Sequence, residues 1–241
     1  MKNHLLKVLL CGSVWALSVS PAMAEEPWDP IEPVNRGIFW FNDKFDNYVA
    51  EPVSQGYDWL VPDTVQTGIG NFFSNIKYPI YLLSDLIALD FKQALNDTGR
   101  FVINSTLGVA GFIDVAKGMK LEEQAKDVGL SLAYHGVPAG PYLVLPFLGP
   151  SNLRDGTGRL VQVPLDPVFY INFTNASAST KWAVTGGSKA LEFTNTRVNM
   201  AEAIKAAKES SLDYYLFVQS AYYQYRRGLL YKGNPPDEEE E

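Results

Sequence analysis

Proline sets the tightest limit on what this chain can build. In "GPYLVLPFLGPSNLRD", Gly140 to Asp155, the residues from Pro141 to Pro150 are nearly all apolar, yet Pro141, Pro146 and Pro150 punctuate them. Proline has no backbone N–H and its ring collides with the preceding helical turn. The segment therefore fits neither a regular spanning helix nor a central strand. It is expected to be apolar and irregular at once, and it closes on the charged pair Arg154–Asp155. Ser151 is placed to cap a helix after Pro150, with Asp155 favourable in its first turn.

The first residues address the chain. "MKNHLLKVLLCGSVWALSVSPAMA" has a basic start (Lys2, Lys7), an apolar stretch from Val8 to about Val19 and the small-residue exit Ala22-Met23-Ala24. That layout is a secretory signal over residues 1–24, cut after Ala24. A transmembrane anchor would need about 20 apolar residues, and Pro21 interrupts the end of this run. Cys11 lies inside the signal and follows Leu10, where a lipid-attachment site wants a small residue. The mature protein is thus expected to start at Glu25 without a lipid.

Residues 25–241 then contain no cysteine, which excludes disulfides, thiolate nucleophiles and cysteine-ligated metals. His135 is their one histidine, in the turn-rich "AYHGVPAG", and reads as a surface or hydrogen-bonded structural residue. Multi-histidine zinc sites and most catalytic triads are excluded with it, and no G-x-S-x-G elbow is present. No enzymatic activity and no cofactor are expected. Loss of Lys2 and Lys7 takes the formal net charge from −7 to −9, and an acidic chain without a basic stripe is a poor nucleic-acid binder. Five of the negatives form the terminal "DEEEE", so residues 233–241 read as a solvated, disordered tail. No linker or fixed-period repeat divides the rest, and residues 25–232 read as one domain.

Along that domain the periodicity is helical. Apolar residues at Ile38, Phe41, Phe45, Tyr48, Val49, Val53 and Leu60 predict a helix bent at Pro52. Asp63 is placed to cap a short helix ending between Gly70 and Asn75. Pro79 suits the first of two further helices and Gly108 closes the second. In Ile80–Phe91 the polar residues Ser84 and Asp85 fall in one narrow sector, leaving an apolar face wider than a surface helix buries. A central core helix would explain the same pattern. "GLSLAYHGV" and "VFYINFT" are the tempting strands, both among turn residues. Residues 199–231 read as helix with an interruption near Ser210–Asp213, and carry Tyr214, Tyr215, Tyr222, Tyr223, Tyr225 and Tyr231. Such rings suit a membrane–water interface, or a packed helix whose hydroxyls reach a partner. The fold class is mainly α.

Four strings stand together: "VNRGIFWFND" (34–43), "GIGNFFSNI" (68–76), "DTGRFVINSTLGVAGFIDVA" (97–116) and "GVPAGPYLVLPFLGPSNLRDG" (136–156). In order and spacing they resemble the MlaA family, also called VacJ, from about Asp29 to Tyr231. The resemblance implies a single ring-shaped domain of amphipathic helices lying in the inner leaflet of the outer membrane, with no spanning helix. It implies association with a trimeric porin and passage of mislocalised phospholipid, through a polar central channel, to a periplasmic lipid carrier of the Mla type. It also implies that the "FNxxF" matched by Phe41, Asn42 and Phe45 influences channel access.

On that resemblance, Phe39, Trp40, Phe41, Phe72, Phe73, Tyr81, Leu82 and Leu86 are candidates for lipid contact, with the tyrosine-rich last helix beside them. Asn42, Asp43, Arg100, Arg154 and Asp155 are candidates for the polar channel. Each of the polar five has a structural alternative, such as pairing of Arg100 with Asp97 or Asp114. Many family members are lipoproteins, and the A-M-A exit departs from that pattern. A porin-binding stabiliser of the outer membrane that moves nothing is the alternative function. It would also want amphipathic helices and an aromatic surface.

Overall fold

The structure, a computed structural model, describes residues 27–234. The signal over 1–24 and all but the start of the acidic tail lie outside the described residues. The elements in order are α1 (Glu32–Phe45), a π-helical turn (Asp46–Ala50), α2 (Glu51–Leu60), α3 (Asp63–Ile76), α4 (Tyr78–Ile87), α5 (Phe91–Thr106), α6 (Val115–Gly118) and α7 (Val128–Tyr134). Strands β1 (Tyr142–Leu145) and β2 (Gly149–Asn152) follow, then α8 (Leu153–Gln162), two 3₁₀ turns (Val163–Leu165, Pro167–Phe173), α9 (Ala178–Asn199), α10 (Ala201–Ser210) and α11 (Tyr214–Leu230). The protein is mainly α, and no helix among the described residues is long and apolar enough to cross a membrane.

Local chemistry explains most boundaries. Pro52 cannot donate to the turn before it, and the ladder yields there: the N–H of Glu51 reaches back five residues to Asp46. The expected bend is therefore a π-helical turn between α1 and α2. Asp63 is the first residue of α3 rather than its cap, and that helix runs on to Ile76. Asp90, Asp114, Asp127, Asn152 and Asp213 cap α5, α6, α7, α8 and α11, each side chain accepting from a first-turn N–H. The α8 cap is thus Asn152, while Ser151 is in β2.

The proline-punctuated segment is regular after all. It is a two-stranded antiparallel hairpin with Tyr142 opposite Asn152 and Leu145 opposite Gly149. Pro146 starts the turn and Pro150 sits in β2, where a missing donor is tolerated at an edge. Tyr142 and Val144 point inward and pack with Tyr215, flanked by Ile38, Phe39, Tyr222 and Tyr223. "GLSLAY" is α7 and "VFYINF" is 3₁₀, so neither tempting strand forms.

Helix packing closes on itself. The series α3, α4, α7, α11, α10, α9 is a circuit in which each helix touches the next and α9 touches α3 again. Within it α7 meets α8 backbone to backbone. A Cβ on Gly158 would lie 2.6 Å from the Gly129 nitrogen, and one on Gly129 would lie 2.5 Å from the Asp155 carboxylate. The polarity is inverted relative to a water-soluble bundle. Ser84 and Asp85 of α4 are fully buried, whereas Trp59 and Trp182 are 84% and 77% exposed. Exposed Leu86, Leu89, Phe91 and Leu95 continue this apolar exterior along α4 and α5. Apolar area of this extent marks an interaction surface.

Candidate functional site

Residues of α4, α8, α10 and α11, with the approach to α7 and the hairpin, line a cavity of about 710 Å³, within the roughly 300–1,000 Å³ range of ligand sites. Its apolar wall comes mainly from one face of α10 and α11, including Ile204, Phe217 and Val218. Its polar wall is Lys77, Lys126, Asp127, Arg159, Gln162 and Arg226. A cavity of about 340 Å³ adjoins it and shares Ile80, Arg159 and Gln162. Another of about 270 Å³ shares Leu148, Met200 and Ile204, and reaches Asn42 and Phe45. The three lie side by side around these shared residues, and their walls are amphipathic.

Ion pairs tie these helices together. The Lys126 ammonium, 2% exposed, lies 2.7 Å from Asp85 and 3.3 Å from Asp90, tying the start of α7 to α4. Burial would lower its pKa, but the Asp85 carboxylate outweighs burial and raises it. The Arg226 guanidinium spans Asp127 (2.9 Å) and Asp155 (2.9 Å), so α11 grips α7 and α8 together. Burial would raise the Asp127 pKa, but its hydrogen bond to Arg226 holds it low. Tyr222 donates to Asp155, and burial together with the Asp155 charge keeps its phenol protonated.

Of the polar residues expected at a channel, all five are structurally engaged. Arg154 and Asp155 pair at 3.1 Å inside the α8 joint. Arg100 is bound to Asp114 at 2.9 Å and Glu123 at 3.3 Å. It lines a separate hollow of about 30 Å³ with Asp97 and Asn104. Asp43 accepts from Asn47 (3.1 Å) and pairs with Lys208 (3.0 Å). Asn42 alone reaches the 270 Å³ cavity, and its amide is spent on the hairpin, donating to Leu145 O (3.0 Å) and accepting from Phe147 N (2.9 Å).

Asn35 treats the same strand in the same way, donating to Tyr142 O (2.9 Å) and accepting from Val144 N (2.9 Å). The spacing explains this. Seven residues of α1 rise about 10.5 Å, and three residues of β1 span about 10 Å. Two amides two turns apart therefore meet strand sites three residues apart and replace a missing neighbouring strand. Phe147, at the hairpin tip with φ 62°, is held edge-on between Phe41 (5.2 Å) and Phe45 (5.1 Å).

The expected lipid-contact residues divide. Trp40, Phe41 and Leu86 are exposed, and Phe72 and Leu82 are half-buried. Phe73 is buried in protein, because α3 turns the second phenylalanine of its pair inward. Phe39 packs on Tyr214 and Tyr215, and Tyr81 lines the large cavity. In α11, Tyr215 and Tyr222 are protein contacts, whose hydroxyls go to Asp29 and Asp155. Residues that sequence reasoning missed include Lys126, Arg226, Arg159 and Gln162. An available signal was the i, i+3 spacing of Arg159 and Gln162 on the helix opened by Asn152. No cluster of His, Cys, Asp or Glu among the described residues suits a metal.

A family model described as MlaA lipoprotein matches residues 27–229. The intermembrane phospholipid transport system lipoprotein MlaA of Escherichia coli (strain K12) is 32% identical over 201 residues, covering 81% of this chain and 76% of that protein. A protein of Rickettsia bellii is 33% identical over 206 residues, covering 85% and 78%. A chain solved under the heading "Structural basis for maintenance of bacterial outer membrane lipid asymmetry" superposes with a TM-score of 0.68 at 29% identity. That match covers 84% of this chain and 98% of the other.

Proposed function

The chain belongs to the MlaA family, and from that premise we propose that it conducts phospholipid out of the outer membrane to a carrier in the periplasm. The observation that carries this reading is the inverted ring. Helices that pack in a closed circuit, apolar outside, line an amphipathic hollow of about 710 Å³ through α4, α10 and α11. A headgroup crossing hydrocarbon alone loses its water at a cost of several kcal/mol. Beside Lys77, Arg159 and Gln162 it keeps polar company while its chains stay against apolar wall. The ring does no covalent chemistry in this account; transport needs only passage.

Exposed Trp40, Trp59, Trp182 and their apolar neighbours would hold the ring in one leaflet, as amphipathic helices lie at an interface. A trimeric porin and an Mla-type periplasmic carrier are the proposed partners. If the chain is cut after Ala24, the mature protein has no cysteine to carry a lipid, and this apolar exterior would be its attachment; palmitate recovered on the mature protein would contradict that.

The direct test supplies purified protein, in vesicles, with fluorescent phosphatidylglycerol and a soluble lipid carrier. Protein-dependent appearance of label on the carrier supports conduction. No transfer above protein-free vesicles would leave the non-transporting stabiliser as the better account.

A further inference from the structure

We infer that Arg159 and Gln162 form a binding station for the phosphodiester of the lipid in transit, an assignment that rests on the transport reading above. Both lie on α8 three residues apart, hence on one side of the helix. Both line the 710 Å³ cavity and the 340 Å³ cavity beside it, so they stand where the two meet.

What separates Arg159 from the other cations of the hollow is that, among the described residues, no carboxylate holds it in an ion pair, although its charge helps keep nearby Asp127 deprotonated. Lys126 is held by Asp85, Arg226 by Asp127 and Asp155, Lys77 by Glu192, and Lys189 by Asp166 at 2.5 Å. Among the described residues no carboxylate pairs with Arg159, whose hydrogen bond goes to Leu148 O at 3.5 Å, the outer limit of such contacts. Gln162 carries the matching vacancy: its Nε2 is shielded from solvent and has no acceptor. Buried donors left unmatched are costly, and they mark places where a ligand acceptor belongs.

The two donors suit one chemistry. A guanidinium fork binds two oxygens of a phosphate at once, and a rotated Gln162 amide offers another N–H from the same side. Val163, Val168 and Phe169 wall the smaller cavity, so an anionic oxygen group joined to apolar chain fits the junction better than a free anion. Asp166 also faces that cavity, and Lys189 neutralises it.

The experiment measures vesicle-to-carrier transfer of labelled phosphatidylglycerol and of diacylglycerol with the same acyl chains, which lacks the phosphate. Arg159→Gln should slow phosphatidylglycerol by about 10-fold or more, the scale of a charge-assisted hydrogen bond. It should leave diacylglycerol unchanged, and Arg159→Lys should recover part of the loss. Gln162→Met should also slow phosphatidylglycerol while the protein melts no lower than wild type, because an unmatched donor has been removed. Unchanged phosphatidylglycerol transfer by Arg159→Gln, or equal slowing of both lipids, overturns the assignment. So does tight binding of inorganic phosphate to lipid-free protein, which would make the site one for a free anion. A wild-type protein that transfers neither lipid overturns conduction itself and this inference with it.

Discussion

Asn42 holds Phe147 at the lip of the cavity by a two-point amide clasp. Its Oδ1 accepts the Phe147 N–H at 2.9 Å while its Nδ2 donates to Leu145 O at 3.0 Å. The clasp joins α1, which carries exposed Trp40, to a hairpin tip that lines the 270 Å³ cavity.

Breaking that clasp should loosen the tip. Asn42→Ala forfeits two hydrogen bonds and is expected to cost about 1–3 kcal/mol. Equilibrium unfolding in detergent measures the cost, and hydrogen exchange at residues 145–149 should quicken. Exchange equal to wild type would mean that the aromatic packing of Phe41 and Phe45 holds the tip unaided.

The Lys126–Asp85 pair should prove expensive to halve and cheap to remove. Lys126→Met leaves Asp85, fully buried, without its cation, and about 3–5 kcal/mol of destabilisation is expected. The double change Lys126→Met with Asp85→Leu should regain most of it. A double variant as unstable as the single one would mean that the pair positions α7 in some further way.

Asp97 gives the fold a pH dependence of defined sign. Burial first, and then the charge on Asp85, push its carboxyl up to about 7, although Gln93 and Asn96 hydrogen-bond to it. The folded protein therefore keeps a proton there that the unfolded chain releases near 3.8. Its contribution to stability is present below about 4 and is lost as pH rises through about 7. Asp97→Asn should flatten the melting temperature over that window; an identical slope in the variant would assign the pH dependence elsewhere.

His135 should be dispensable. It is exposed, and its ring nitrogen meets Ile87 O at 2.5 Å, a role for a turn rather than for chemistry. His135→Gln should transfer phospholipid at the wild-type rate and lose no more than about 1 kcal/mol. Abolished transfer with intact stability would reopen an enzymatic reading.

Much of the helical order was legible because it is written locally. Asp213 both interrupts the C-terminal helix and caps α11, accepting from Tyr215 N and Leu216 N, and Pro79 stands in the first turn of α4. The hairpin was not legible. Its outer neighbour is two asparagine side chains on a helix, so no partner strand shows the alternation that announces a sheet. Helix α9 carries Gly186–Gly187 and no sustained apolar stripe, and periodicity does not reveal it. The wide apolar face of α4 was visible. That Ser84 and Asp85 are its buried side follows only once Lys126 arrives from 41 residues away. The cavity's cations were hidden for the same reason: Arg226 and Asp127 are 99 residues apart, and sequence spacing does not distinguish a committed arginine from a free one.

The proposed task of the protein is removal of phospholipid from the outer leaflet of the outer membrane. The most direct measurement is outer-leaflet phospholipid in cells lacking the gene, with and without the wild-type gene restored. Outer-leaflet phospholipid should rise on deletion and return to the parental level on restoration. A deletion strain whose outer-leaflet phospholipid equals that of its parent would contradict it.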